Sequence, residues 1–125
     1  MTVVYDAGPL IAADRSDRAV WAEHRARLEL GRVPLTTAPV VAQVSRSGRQ
    51  AQLRRFLRGC DIVPFAVDDA HEVGALTGAS GATDVVDVHL VVVAHRTGVG
   101  VVTADEGDLS LIVASLTAPP PVFVM

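Results

Sequence analysis

Five short runs rich in β-branched residues recur along the chain, and a helical pattern fills the intervals between them. The runs are Thr2-Val3-Val4-Tyr5, Val33-Pro34-Leu35-Thr36, Ile62-Val63-Pro64-Phe65, residues 99–103 and Val122-Phe123-Val124. Strands alternating with helices at such short intervals predict an α/β domain with a mainly parallel sheet. Proline cannot donate to a strand ladder, so Pro64 marks the third run as an edge strand, and the last run is expected at an edge as well. Asp6-Ala7-Gly8-Pro9 reads as a turn that leads into a helix from Leu10. Further helices are expected over residues 17–30, stopped by Gly31, from Pro39 to Ser47-Gly48, and over 49–58, 68–78, 84–96 and 106–115. The 84–96 segment carries Val85-Val86 and Leu90-Val91-Val92-Val93-Ala94, apolar almost all round, which predicts deep burial.

With 125 residues and no internal repeat or linker, residues 1–125 are expected to form one domain. Half the residues are hydrophobic but only 4% are aromatic, so the core has to be built from Val, Leu, Ile and Ala. Every one of the 11 basic residues is arginine. Without lysine, the chain cannot carry a Walker A loop, Schiff-base chemistry or a receiver-type phosphoacceptor site. The single Cys60 excludes an internal disulfide framework and a cysteine-only zinc site, and it suits a reducing cytosol. Asp6 interrupts the N-terminal apolar run, and no apolar stretch approaches the roughly 18 residues that span a bilayer. The expectation is a soluble, cytoplasmic protein.

In parallel sheets, functional groups gather beyond the carboxyl ends of the strands. Asp6 follows the first strand there, and Asp105 follows the fourth. Asp84 and Asp87 stand three residues apart at the front of the apolar helix, and Asp105 and Asp108 repeat that spacing. An aspartate in such a position, taken singly, is more often a helix cap than a metal ligand, by roughly two to one. If they converge, mutual repulsion raises at least one pKa unless a cation neutralises them. Oxygen ligands without clustered His or Cys select Mg²⁺ or Mn²⁺, which polarises a phosphoryl oxygen and activates water.

Three segments carry a resemblance: Val4-Tyr5-Asp6-Ala7-Gly8-Pro9-Leu10-Ile11-Ala12, Thr83-Asp84-Val85-Val86-Asp87-Val88-His89-Leu90, and Val102-Thr103-Ala104-Asp105-Glu106-Gly107-Asp108-Leu109. In this order they resemble the blocks of PIN-domain proteins, above all the VapC-like toxins of bacterial toxin–antitoxin pairs. The likeness runs from about residue 2 to residue 112. It implies a three-layer α/β/α sandwich and a Mg²⁺- or Mn²⁺-dependent endoribonuclease in which metal-bound water attacks the phosphodiester. The products it implies are a 5′-phosphate and a 3′-hydroxyl, and tRNA or rRNA is the expected substrate. A VapB-like antitoxin and a second copy of the chain are the expected partners. Asp6, Asp87 and Asp105 match catalytic metal ligands; Asp84 and Asp108 stand as auxiliaries acting through water; Thr103 matches a hydroxyl that orients a carboxylate or water. The family's second acid is usually a glutamate, and here Ala38-Pro39-Val40-Val41-Ala42-Gln43-Val44 puts the uncharged Gln43 there. Gln43 can still offer an amide oxygen, but the lost charge weakens metal affinity. The alternative is therefore a catalytically weakened domain that binds RNA or antitoxin without efficient cleavage.

Residues 30–60 hold six arginines and no acid, whereas residues 61–125 hold nine acids and Arg96 alone. Arg46, Arg49, Arg54, Arg55 and Arg58 lie within that basic stretch. Their planar donor forks suit phosphate, so Arg46, Arg49, Arg54 and Arg55 are candidate RNA contacts. Solvated helix positions or an antitoxin-docking face account for them as well. His24, His71, His89 and His95 have no convergent partners and read as core or surface. Trp21 reads as core or partner interface, because one Trp and one Tyr do not make the aromatic interleaving of single-strand binders.

Overall fold

The computed structural model describes residues 2–125. Its elements are β1 (Val3–Tyr5), α1 (Ala7–Asp14), α2 (Arg18–Glu29), β2 (Leu35–Thr37), α3 (Ala38–Val44), α4 (Ala51–Leu57), β3 (Asp61–Val63), α5 (Val67–Ser80), α6 (Val85–Thr97), β4 (Gly100–Thr103), a 3₁₀ turn (Glu106–Leu109), α7 (Ser110–Ala114) and β5 (Val122–Val124). The five strands form one sheet in the order β3-β2-β1-β4-β5, and every pairing is parallel. β3 and β5 are the edges, as the prolines around them required.

Helix starts follow local capping. Asp17 Oδ1 accepts from Val20 N at 3.1 Å, and Thr37 Oγ1 accepts from Val40 N at 3.3 Å with Pro39 in the first turn of α3. α5 and α6 end on Gly81 and Gly98, whose φ values of 76° and 70° belong to the left-handed region where a side chain is strained. Several expected boundaries move, among them the helix expected to run from Pro39 to Ser47-Gly48, which ends at Val44, and that expected over 49–58, which spans Ala51–Leu57. Residues 7–9 are already the first turn of α1, because Asp6 caps Ala7 and Pro9 sits where a helical N–H has no partner. β2 starts after Pro34 and β3 ends before Pro64, since neither proline supplies a ladder N–H. The 106–115 helix divides into the 3₁₀ turn and α7.

Crossovers between parallel strands are right-handed, so the connections that step from β1 to β3 cover one face of the sheet and those that step from β3 to β5 cover the other. Accordingly α1 packs with α2 and α4, whereas α5, α6 and α7 pack with one another. The result is a three-layer α/β/α sandwich. α6 lies against β1, β2 and β4, and Val88 through Ala94 are all buried, which accounts for its lack of a polar face.

Two buried polar groupings fix the layers. Arg27 Nη1 donates to the Tyr5 hydroxyl at 3.1 Å, and that hydroxyl lies 3.0 Å from His24 Nδ1; these contacts tie α2 to β1. The His24 ring stacks on Phe56 of α4 at 3.9 Å. On the opposite face Arg96 Nη1 of α6 donates to Asp69 Oδ1 of α5 at 2.7 Å, and Asp69 Oδ2 accepts from Ala66 N at 2.8 Å. The Arg96 hydrogen bond holds the Asp69 carboxyl below its usual range. His89, fully buried, lies 3.7 Å from Asp69 with no hydrogen bond at either ring nitrogen, and burial keeps its pKa low.

Candidate functional site: an acidic groove at the switch point

β1 and β4 are neighbours whose following connections leave in opposite directions, so the crevice at their carboxyl ends is the topological switch point of the sheet. Asp6 enters that crevice from β1. Its backbone N donates to Val102 O at 2.9 Å, and its carboxylate is held at both oxygens. Oδ1 accepts from Ala7 N at 2.8 Å, and Oδ2 accepts from the buried Thr103 hydroxyl at 2.9 Å. The same hydroxyl accepts from Asp105 N at 3.2 Å, and of the two oxygens within reach of its single proton Asp6 Oδ2 is nearer than Asp105 O at 3.3 Å. Gly8 allows this approach: a Cβ there would overlap the Ala104 side chain just past β4.

α6 brings its first turn to the same crevice. Asp84 caps that turn by accepting from Val86 N at 2.9 Å. Asp87, three residues on and half-buried, accepts no hydrogen bond from the described residues. Burial pushes its carboxyl up to about 7, with further upward contributions from the charges of Asp84, Asp6 and Asp108. The carboxyl therefore stands unneutralised among three others. A groove of about 390 Å³ opens over it, lined by Gly81, Thr83, Asp84, Asp87, Asp108 and Leu111 among others, with no arginine or histidine on its walls.

The predicted residues do not all arrive together. Asp6, Asp84, Asp87 and Asp108 share one electrostatic environment. Asp105 is exposed, its Oδ1 accepts from Gly107 N at 2.9 Å and caps the 3₁₀ turn, and neither it nor the buried Asp6 lines the groove. Asp108, assigned an auxiliary role from sequence, takes the wall position instead. Gln43 lines a different groove, between α1, α3 and α4, with Leu10, Asp14, Arg15, Arg46 and Gln50. The arginine stretch is dispersed. Arg46 Nη1 donates to Ala42 O and Ser45 O, Arg54 Nη1 donates to Gly48 O, Arg49 is exposed, and the Arg55 guanidinium lies 5.1 Å from the centre of the Trp21 ring. His24 and His89 are buried, and His71 and His95 are exposed. The sequence reading missed Arg18 and Arg25, which share a second groove with Trp21 and Arg55.

The donor set consists of carboxylate and hydroxyl oxygens, the chemistry that suits a hard divalent cation. Among the described residues no three His, Cys, Asp or Glu side chains stand at spacing for direct ligation of one ion. Mg²⁺ commonly takes only one or two protein carboxylates and keeps several waters, so the acidic groove fits such an ion through Asp87, with Asp84 and Asp108 reached through water.

No family model matches this chain, and no curated protein matches it. Its fold is similar to the crystal structure of PAE2754 from Pyrobaculum aerophilum, with a TM-score of 0.65 and 15% sequence identity over 98% of this chain and 83% of that one. At that identity the likeness extends to the three-layer architecture. No single helix among the described residues is long and apolar enough to cross a membrane.

Proposed function

We propose that this chain is a Mg²⁺- or Mn²⁺-dependent endoribonuclease of the toxin type, with the acidic groove as its catalytic centre. The observation that carries the reading is the gathering of Asp84, Asp87 and Asp108 on the walls of one groove, with Asp6 near enough to raise the Asp87 carboxyl and no cationic side chain on those walls. Four carboxylates so placed repel one another, and the usual compensation is a bound cation. The three segments that resemble PIN-domain proteins support RNA as the substrate, a VapB-like antitoxin and a second copy as partners, and the cytoplasm as the setting.

Asp6 and Asp87 would hold the ion, with Asp84 and Asp108 engaged through water and Asp105 left to cap its own turn. When bound, the ion supplies a polarised phosphoryl oxygen and an activated water. The chain's own groups prepare the site. The Thr103 hydroxyl fixes the Asp6 oxygen it donates to, so that carboxylate needs no reorientation on binding. Asp87 is about half protonated near neutral pH, and it gives up that proton as positive charge arrives beside it. The buried body of α6 holds both of its aspartates on a rigid element, where positioning costs little.

Cleavage of a labelled single-stranded RNA in Mn²⁺ tests the reading. The chain is expected to cut, and Asp87→Asn and Asp6→Ala are expected to reduce cutting and growth arrest to background. Growth arrest that persists in both variants overturns it. One observation favours the weakened domain as a second reading: Gln43 carries no charge and faces the groove of Arg15 and Arg46. Binding of RNA or antitoxin without cleavage, with Gln43→Glu raising neither Mn²⁺ affinity nor cutting, is the outcome for that reading.

A further inference from the structure

A second groove, on the α2 and α4 side of the sandwich, has the opposite chemistry. Arg18, Trp21, Ala22 and Arg25 are spaced i, i+3, i+4 and i+7, so they share one face of α2. Gln52 and Arg55, three apart on α4, form the facing wall, and together these residues line an open trough of about 370 Å³. Arg18, Ala22, Arg25 and Arg55 are exposed, so the basic groups of the trough face solvent around the half-buried Trp21.

The cations in the trough have no counterpart. Among the described residues Arg18, Arg25 and Arg55 form no ion pair. Three of the four acids close to them in sequence are committed elsewhere, and the fourth, Glu29, four residues after Arg25, makes no ion pair with it. Asp17 caps Val20, Glu23 pairs with Arg27 at 3.6 Å, and Asp14 accepts from Gln50 Nε2 and Leu53 N. Trp21 is fixed between them: its Nε1 donates to Ala13 O at 3.0 Å, and its ring meets Phe56 edge-on at 5.1 Å. The Arg55 guanidinium lies over the indole at 5.1 Å from its centre. The trough thus offers two unpaired donor forks, Arg18 and Arg25, beside a fixed aromatic ring that carries the Arg55 guanidinium over it.

We infer that this trough binds a nucleotide of single-stranded nucleic acid, with Arg18 and Arg25 taking the phosphates and Trp21 and Arg55 the base. Forked guanidinium donors match phosphate oxygens two at a time, and bases stack on indole and guanidinium planes alike. The volume is that of a small-ligand site, about 300 Å³ or more. An acidic peptide would satisfy the charges and leave the stacking surface unused. The inference deepens the proposed function by giving the same polymer a second contact, away from the acidic groove, and it depends on that reading for the polymer being RNA.

Trp21 is the single tryptophan of the chain, so its fluorescence reports the trough directly. The test titrates the intact chain with an eight-nucleotide oligouridylate in EDTA over a series of salt concentrations. The expected result is quenching of Trp21, with affinity at least about tenfold weaker in Arg25→Gln/Arg55→Gln and a salt slope reduced by about 0.7 for each phosphate no longer held. Arg32→Gln, at an exposed arginine outside the trough, controls for loss of bulk charge and is expected to leave the affinity within about twofold. Circular dichroism of each variant separates misfolding from weakened binding, and Arg25→Lys/Arg55→Lys, which keeps the charge without the fork, is expected to recover part of the affinity. Binding with a silent Trp21, indifference to the arginine pair, or tighter arginine-dependent binding of polyglutamate than of RNA overturns the inference. Cleavage is scored separately in Mn²⁺. A chain that cuts with a silent trough refutes this inference alone, and a chain that fills the trough without cutting refutes the ribonuclease reading alone.

Discussion

Asp87→Asn should make the protein more stable at alkaline pH and indifferent to divalent metal. The carboxyl of Asp87 moves from its ordinary 3.8 up to about 7 on folding, chiefly because it is buried and secondarily because Asp84, Asp6 and Asp108 repel its charge. At about 1.36 kcal/mol for each pH unit, the unscreened cost of ionising it in the folded chain is about 4 kcal/mol. Asp87 is half-buried and beside an open groove, and solvent screening reduces that to roughly 1–2 kcal/mol. The sign follows from linkage. The folded value lies above the unfolded one, so the contribution of Asp87 is fully present below pH 3.8, is lost as pH rises toward 7, and is level above it. Asparagine has no such cost. It forfeits only the attraction of a carboxylate for the helix N-terminus, about 0.3–1 kcal/mol, and breaks no hydrogen bond. Urea unfolding of both chains across the pH range, in EDTA, should therefore give curves that draw together near pH 4 and separate by about 1 kcal/mol at pH 8.5, with the variant above. Adding Mn²⁺ at about 100 times its Kd should then raise the unsubstituted chain by about 2.7 kcal/mol and the variant by much less. Parallel pH profiles for the two proteins would refute the claim that these carboxylates repel one another.

Two further outcomes separate the groove residues from their neighbours. Asp108→Asn should weaken Mn²⁺ binding by about tenfold in calorimetry, whereas Asp105→Asn should change it by no more than about threefold, since Asp105 spends its carboxylate on Gly107 N. Equal losses would return Asp105 to the metal's surroundings. Thr103→Val, which keeps the shape and removes the hydroxyl, leaves the buried Oδ2 of Asp6 without its donor and should cost about 1–3 kcal/mol in urea unfolding, with Thr103→Ser recovering most of it.

How much of this was legible in the sequence depends on whether proximity in the chain implies proximity in space. The edge strands were legible because proline constrains its own ladder position, and the burial of α6 because its residues are apolar on every side. Asp6 and Asp87 were legible as a strand end and a helix front, since chain direction alone sends both toward the carboxyl edge of a parallel sheet. The choice between Asp105 and Asp108 was not. Their spacing of three suggests one face only if both are helical, and Asp105 is the cap, with extended backbone at φ −142° and ψ 103°, so its side chain turns back on its own turn and leaves the groove to Asp108. Nor was the basic trough legible. Arg18 and Arg25 lie in a segment whose acids nearly cancel its arginines, and the acid-free stretch that stands out in the sequence sends Arg46 to one groove and Arg55 to another. A charge total over a window counts residues whose acids are already committed to caps and pairs. The fold decides which charges remain uncompensated, and here it leaves carboxylates at the switch point and guanidinium groups beside Trp21.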